Sequence, residues 1–210
     1  MLKLIKPANY LLGNSLKLNT LVQARYFSFS INQIQFDKVK KDSEYPNLYY
    51  YPTKTDNKTI LSLLNPNQIQ SKSKALSTVG AIGTTTQDLK GLKAATLDPK
   101  LFEENADFIE FMHECLSKSS VDKDQHLIAL AQYQKEGWLH VPDQRNPAPW
   151  GRIPLPEDIL GSLLIQDSKI VPTSYQKMPS HRVVSSSGLF WLSEALHQDL
   201  IEKLKVKLSQ

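Results

Sequence analysis

Five histidines, one cysteine and a row of carboxylates are the side chains through which this 210-residue sequence could carry acid–base, nucleophilic or metal chemistry. His113 and Cys115 stand two residues apart, a spacing that on a helix turns them to different sides and separates thiol from base. Cys115 falls in step with the apolar residues around it and reads as core. His126, His140, His181 and His197 lack the close spacing of zinc ligands, and each reads as a surface or hydrogen-bonding histidine. Glu103, Asp107, Glu110 and Glu114 follow at i, i+4, i+7 and i+11, with Glu104 beside them. A solvated helix face explains that row without a metal, because no second carboxylate cluster stands opposite it. His140 and Asp143 with a nearby serine suggest a triad, but no nucleophile elbow frames them. The Gly80 and Gly83 stretch lacks both a third glycine and the Gly-Lys-Ser/Thr of a phosphate loop, so it reads as a flexible loop. No catalytic, metal or cofactor residue is assigned.

Residues 138–156 are the most unusual stretch, holding five of the 12 prolines together with Trp138, Trp150, Arg145 and Arg152. Proline fixes φ and removes a donor, which predicts an extended run without a continuous hydrogen-bonded ladder. Trp and Arg dominate the energetics of protein interfaces, so Arg145, Trp150 and Arg152 are candidate partner-binding residues. Tyr49, Tyr50 and Tyr51 form a second candidate docking patch. An internal reading stands beside both: Trp138 and Trp150 pack onto their own fold, the arginines pair with Asp143, Glu157 or Asp158, and the tyrosines fold back onto the C-terminal module.

The elements that must position these groups begin near residue 97. Asp98 is placed to cap a helix starting at Pro99, with Phe102, Phe108, Ile109, Met112, Cys115 and Leu116 on one apolar face up to about residue 118. A second helix spans about 122–136, with Leu127, Leu130, Ala131 and Tyr133 inward and Gly137 ending it. The short link between them predicts a helical hairpin. Residues 159–166 and 169–175 read as strands joined across Asp167 and Ser168, with 181–185 as a third, and a last helix spans about 192–208. The fold class expected is α+β: a helical hairpin, the Pro-rich extended segment, a small antiparallel sheet and a C-terminal helix over 96–210. Ahead of it, residues 28–95 are rich in Lys, Ser, Thr, Asn and Gln and read as a largely disordered polar arm. Within that arm, residues 59–64 offer a helical turn or two.

Charge separates the chain differently. The first 27 residues hold Lys3, Lys6, Lys17 and Arg25 and no Asp or Glu, with leucines between the cations. Such a basic amphipathic segment is the pattern of a mitochondrial transit peptide, whereas a secretory signal needs an unbroken apolar run. Arg25-Tyr26-Phe27-Ser28 resembles the processing sites of mitochondrial precursors, implying a mature chain that begins at Phe27 or Ser28. Taking the four leader cations from 25 basic residues leaves 21 against 21 acidic ones, so the mature chain is formally neutral. Its first part, 28–95, is +4 and its second, 96–210, is −4.

Those charges favour one function class over others. Nucleic-acid affinity rests mostly on phosphate neutralisation, so a ribosome-associated or RNA-associated role is disfavoured, although the +4 arm speaks for it. One cysteine allows no internal disulfide. No apolar run approaches membrane-spanning length, and peripheral contact with a membrane stays open. The reading expected is a non-catalytic interaction protein of the mitochondrial matrix, an assembly factor or accessory subunit with a protein partner. An enzyme of unknown reaction is the remaining alternative.

Overall fold

The computed structural model describes residues 31–209, apart from 55, 71–75, 77, 150 and 151. The expected leader lies outside the described residues. The architecture is mixed helix and antiparallel sheet. Strands β1 (Lys40–Lys41), β2 (Tyr49–Pro52), β3 (Thr59–Ser62), β4 (Gly83–Thr85) and β5 (Phe102–Glu104) form one sheet in that order, each antiparallel to the next. A short helix α1 (Pro66–Gln70) lies between β3 and β4. Helix α2 (Ala106–Cys115) then runs into a π-helical turn (Leu116–Ser120), followed by α3 (Gln125–Gln134). Strands β6 (Gly137–Pro142), β7 (Ile159–Gln166) and β8 (Lys169–Lys177) make a second sheet. A small hairpin of β9 (Val184–Ser185) and β10 (Gly188–Leu189) leads to α4 (Glu194–Lys207).

The expectation of a disordered arm over 28–95 is corrected, because four strands of the first sheet come from it. Leu48, Tyr50, Tyr51, Ile60 and Leu61 are fully buried, in the same hydrophobic core as Phe108, Leu160, Phe190 and Leu204. No boundary near 95 divides that core. Averaged composition hid this because the arm's apolar surface sits in tyrosine rings whose hydroxyls are each satisfied. Tyr50 donates to Asp42 Oδ2 at 2.7 Å, Tyr51 to Leu64 O at 2.5 Å and Tyr45 to Phe190 O at 2.8 Å. Periodicity hid it too: every residue of β3 is buried, so no polar alternation marks the strand. In place of the helical turn expected over 59–64, residues 59–62 are strand, and the expected loop at Gly80–Thr86 contains β4.

The first helix is shorter than its apolar spacing suggested. β5 takes residues 102–104, and Asn105 rather than Asp98 is the cap. Asn105 does two things: its Oδ1 accepts from Asp107 N at 3.1 Å, and its Nδ2 donates to Ala81 O at 2.6 Å, fastening the helix start to the chain entering β4. α3 is capped by Asp124, whose Oδ1 accepts from His126 N at 2.8 Å. The two helices take their main packing from other elements, α2 from α4 and α3 from β6 and β8, in place of the expected hairpin.

Residues 159–177 form the expected strand pair, turning through Asp167 and Ser168 at φ of +51° and +62°, the mirror-image turn that suits a two-residue hairpin. The third strand of that sheet is β6, which the proline count had placed outside any ladder. Pro142 ends β6, where a missing N–H costs least. Residues 184 and 185 pair with 188 and 189 instead. α4 begins at the Ser193 cap and buries Leu196, Leu200 and Leu204.

Candidate functional site

Just past β6 the chain turns inward and seals a charged cluster. Asp143 and Asp158 are fully buried, and the Arg145 side chain is 2% exposed. Arg145 Nε donates to Asp158 Oδ1 at 2.8 Å. Its Nη1 donates to Val183 O and Gly188 O at 3.2 and 3.1 Å, and its Nη2 to Glu157 O and Arg182 O at 2.9 and 2.7 Å. All five N–H groups of the guanidinium are thus taken. Asp143 Oδ1 accepts from Arg145 N and Trp191 N at 3.0 and 2.8 Å, while its Oδ2 lies 3.1 Å from His181 Nε2. The cluster ties the Pro-rich segment to the β9–β10 hairpin and leaves Arg145 no donor for a ligand. The expectation that Arg145 meets a partner is therefore corrected, because the buried carboxylates and carbonyls use its whole fork.

A second polar chain adjoins the first. His113 Nδ1 lies 2.8 Å from Tyr175 Oη, which also lies 3.2 Å from Leu160 O. Tyr175 has one proton for two partners; giving it to Leu160 O leaves His113 Nδ1–H to complete the other bond. The His113 and His181 rings meet edge to face with centroids 6.3 Å apart. Burial, reinforced by His181 and Lys177, pushes His113 down to about 4, so it is neutral near neutral pH. His113 stands at i+3 from Glu110, an arrangement metal sites use, but the Glu110 carboxylate pairs with Lys177 at 2.7 Å on the surface. Among the described residues no three ligating side chains converge for a metal ion.

The imagined triad does not assemble. Asp143 goes to His181, and His140 Nδ1 faces Ser162 Oγ across the β6–β7 pair at 2.9 Å. Cys115 is buried, and burial pushes its thiol up to about 11, which removes it as a nucleophile.

An open groove of about 590 Å³ lies between α3, β6 and two stretches that follow it, residues 142–149 and 152–154. Leu130, Trp138, Leu139 and Ile153 supply apolar wall, and Pro147 and Pro149 close one side without contributing an N–H. Trp138 is 48% exposed, Ile153 72% and nearby Leu155 56%, so four flanking side chains including Tyr133 show large apolar surfaces to solvent. The inward placement of Tyr133, and the internal reading of Trp138, are both corrected. Trp138 stands where β6 leaves α3 through Gly137, a turn at φ +101° that carries the ring onto the outer surface.

The other candidate residues separate clearly. Tyr50 and Tyr51 are buried and Tyr49 half-buried, so the tyrosine docking patch is corrected to core. Trp150 lies outside the described residues. Arg152 is exposed on the groove, and no hydrogen bond or ion pair engages its guanidinium among the described residues. Sequence reasoning passed over Trp138 and Ile153, although a tryptophan and an isoleucine among clustered prolines, where a packed core is hard to build, were the available signal. Comparison of the chain with protein-family models, curated proteins and solved structures finds no match.

Proposed function

We propose that this chain is a non-catalytic interaction protein of mitochondria, an assembly factor or accessory subunit, that holds an extended segment of a partner protein in the groove beside α3 and β6. One observation carries the reading. Among the described residues, four of the six exposed large apolar side chains, Tyr133, Trp138, Ile153 and Leu155, stand in or beside one groove, while Asp143, Arg145, Asp158, His181 and Cys115 are buried. Contiguous apolar surface with a tryptophan and an arginine at its edge is the composition of an interface centre. The matrix location is supported by the acid-free basic composition of the first 27 residues. Among the described residues no helix is long and apolar enough to cross a membrane.

The test compares tagged wild-type chain with Trp138→Ala and Ile153→Asp in intact cells. The tagged chain should be found in the organelle and recover one partner set by mass spectrometry. Both variants should lose that set while melting within about 1 kcal/mol of wild type, as exposed positions do. Unchanged recovery by both variants, or a chain found outside mitochondria, would refute the proposal.

A further inference from the structure

The groove's charge is one-sided, and that asymmetry specifies its occupant. Its polar lining includes Arg152, His126, His140, Gln134 and Gln144, with no Asp or Glu among the described lining residues. Several surface lysines carry their own counter-charge, Lys58 with Glu103, Lys93 with Glu44, Lys118 with Glu114 and Lys177 with Glu110. Arg152 has no such counterpart. His140 is turned by its Nδ1 contact with Ser162, which leaves Nε2 as the ring nitrogen without a partner, and that atom is not sealed from solvent. The prolines add carbonyl oxygens but no N–H, so the side chains supply the strongest donors facing the groove.

We infer that the segment bound in the groove is acidic as well as apolar: a partner protein's extended stretch that places a Leu-, Ile- or Phe-like side chain against Trp138, Leu130 and Leu139 and sets an adjacent Asp or Glu on Arg152 and His140. This rests on the docking function proposed above and adds the chemistry of the partner. Arg152 forks onto a carboxylate with two parallel N–H bonds, and His140 meets the same acid or a backbone carbonyl. The apolar wall excludes water beside that contact, which strengthens it over an exposed ion pair. A basic segment meets Arg152 as a like charge and is turned away.

The experiment selects random peptides of about a dozen residues, displayed on phage, against the full chain. Enriched peptides should carry Asp or Glu beside a large apolar residue. Arg152→Ala should weaken a selected peptide about tenfold or more, the effect of losing one charge-assisted contact. Arg152→Glu should redirect selection toward Lys or Arg, and Trp138→Ala should weaken every selected peptide. Apolar peptides without acid, bound equally by wild type and Arg152→Ala but lost with Trp138→Ala, would overturn the acidic partner and leave the docking function standing. Absence of any peptide that depends on Trp138 would overturn both. Binding of 1-anilinonaphthalene-8-sulfonate in the groove with no peptide enriched would mark a small-molecule site and equally overturn the inference.

Discussion

Replacing Arg145 by methionine keeps an unbranched apolar stem, shorter than arginine by the guanidinium tip, and removes the charge and all five donors. Asp158 then loses its 2.8 Å partner inside the protein, Asp143 loses a guanidinium 3.4 Å away, and the carbonyls of Val183, Gly188, Glu157 and Arg182 lose side-chain donors. Breaking a buried ion pair from one side costs about 3–5 kcal/mol, because the stranded charge has neither water nor counter-charge. For a chain of this size each kcal/mol moves the melting temperature by roughly 2–4 °C, which places the expected drop at about 6–20 °C. Arg145→Lys restores the charge without the fork and should fall between wild type and methionine. Adding Asp158→Asn to Arg145→Met removes the stranded charge and should cost less than the sum of the two single changes. Circular dichroism melts of these variants, with Arg152→Met as a surface control expected to stay near wild type, give the reading. If Arg145→Met melts within about 1 kcal/mol of wild type and instead loses a partner, the interior cluster is the wrong account of this residue.

Stability should fall in two acid stages. His113 has its protonation held down to about 4, so as pH drops below 6.5 the unfolded chain takes a proton the folded one refuses. That loss should develop between pH 6.5 and 4, reach about 3 kcal/mol and be absent from His113→Gln, measured by denaturant unfolding. Burial pushes the Asp42 carboxyl up, but hydrogen bonds from Tyr45 N, Tyr50 Oη, Glu44 N and Ala94 N outweigh it and hold it below the ordinary value. Its contribution is present above pH 3.8 and lost as pH falls through the lower folded value, a stage that Asp42→Asn should abolish. Cys115 should stay unreactive toward a disulfide reagent at pH 8 and react fully in guanidinium; rapid labelling of the native chain would contradict its burial. Gly188→Ala should destabilise by at least 1 kcal/mol, since φ is +93° and the added carbon would lie 2.6 Å from Ala94 O; an unchanged melt would show that the hairpin can move away.

What could be read from the sequence was local. The β7–β8 pair was visible because its turn residues sit between two apolar runs, and α4 because leucines recur every four residues up to a lysine-rich end. α3 was visible through the spacing of Leu127, Leu130 and Ala131 and through Gly137 at its end, though both helix starts lay a few residues off and its cap is Asp124. The first sheet was not visible, because the burial of Tyr50 and Ile60 on both faces depends on residues far along the chain. Arg145 misled for the same reason. Pairing with Asp143 or Asp158, the internal alternative the sequence offered, is what the structure shows, but the fork's hydrogen-bond partners lie 12 to 43 residues away, so the sequence could not choose between that and an interface contact. Of the groove, Arg152 was legible by residue type, whereas Trp138 required knowing that β6 turns its ring outward.

The hydroxyl of Tyr45 rests on the carbonyl of Phe190, 145 residues further along, and its ring packs on Trp191 and His197. A ribosome delivers the chain from the other end. The chain around Tyr45 therefore emerges long before the residues it packs on, and its contacts stay unmade through most of synthesis. Such a chain is expected to fold late and all at once, to lean on chaperones while nascent, and to aggregate when translation stops ahead of α4.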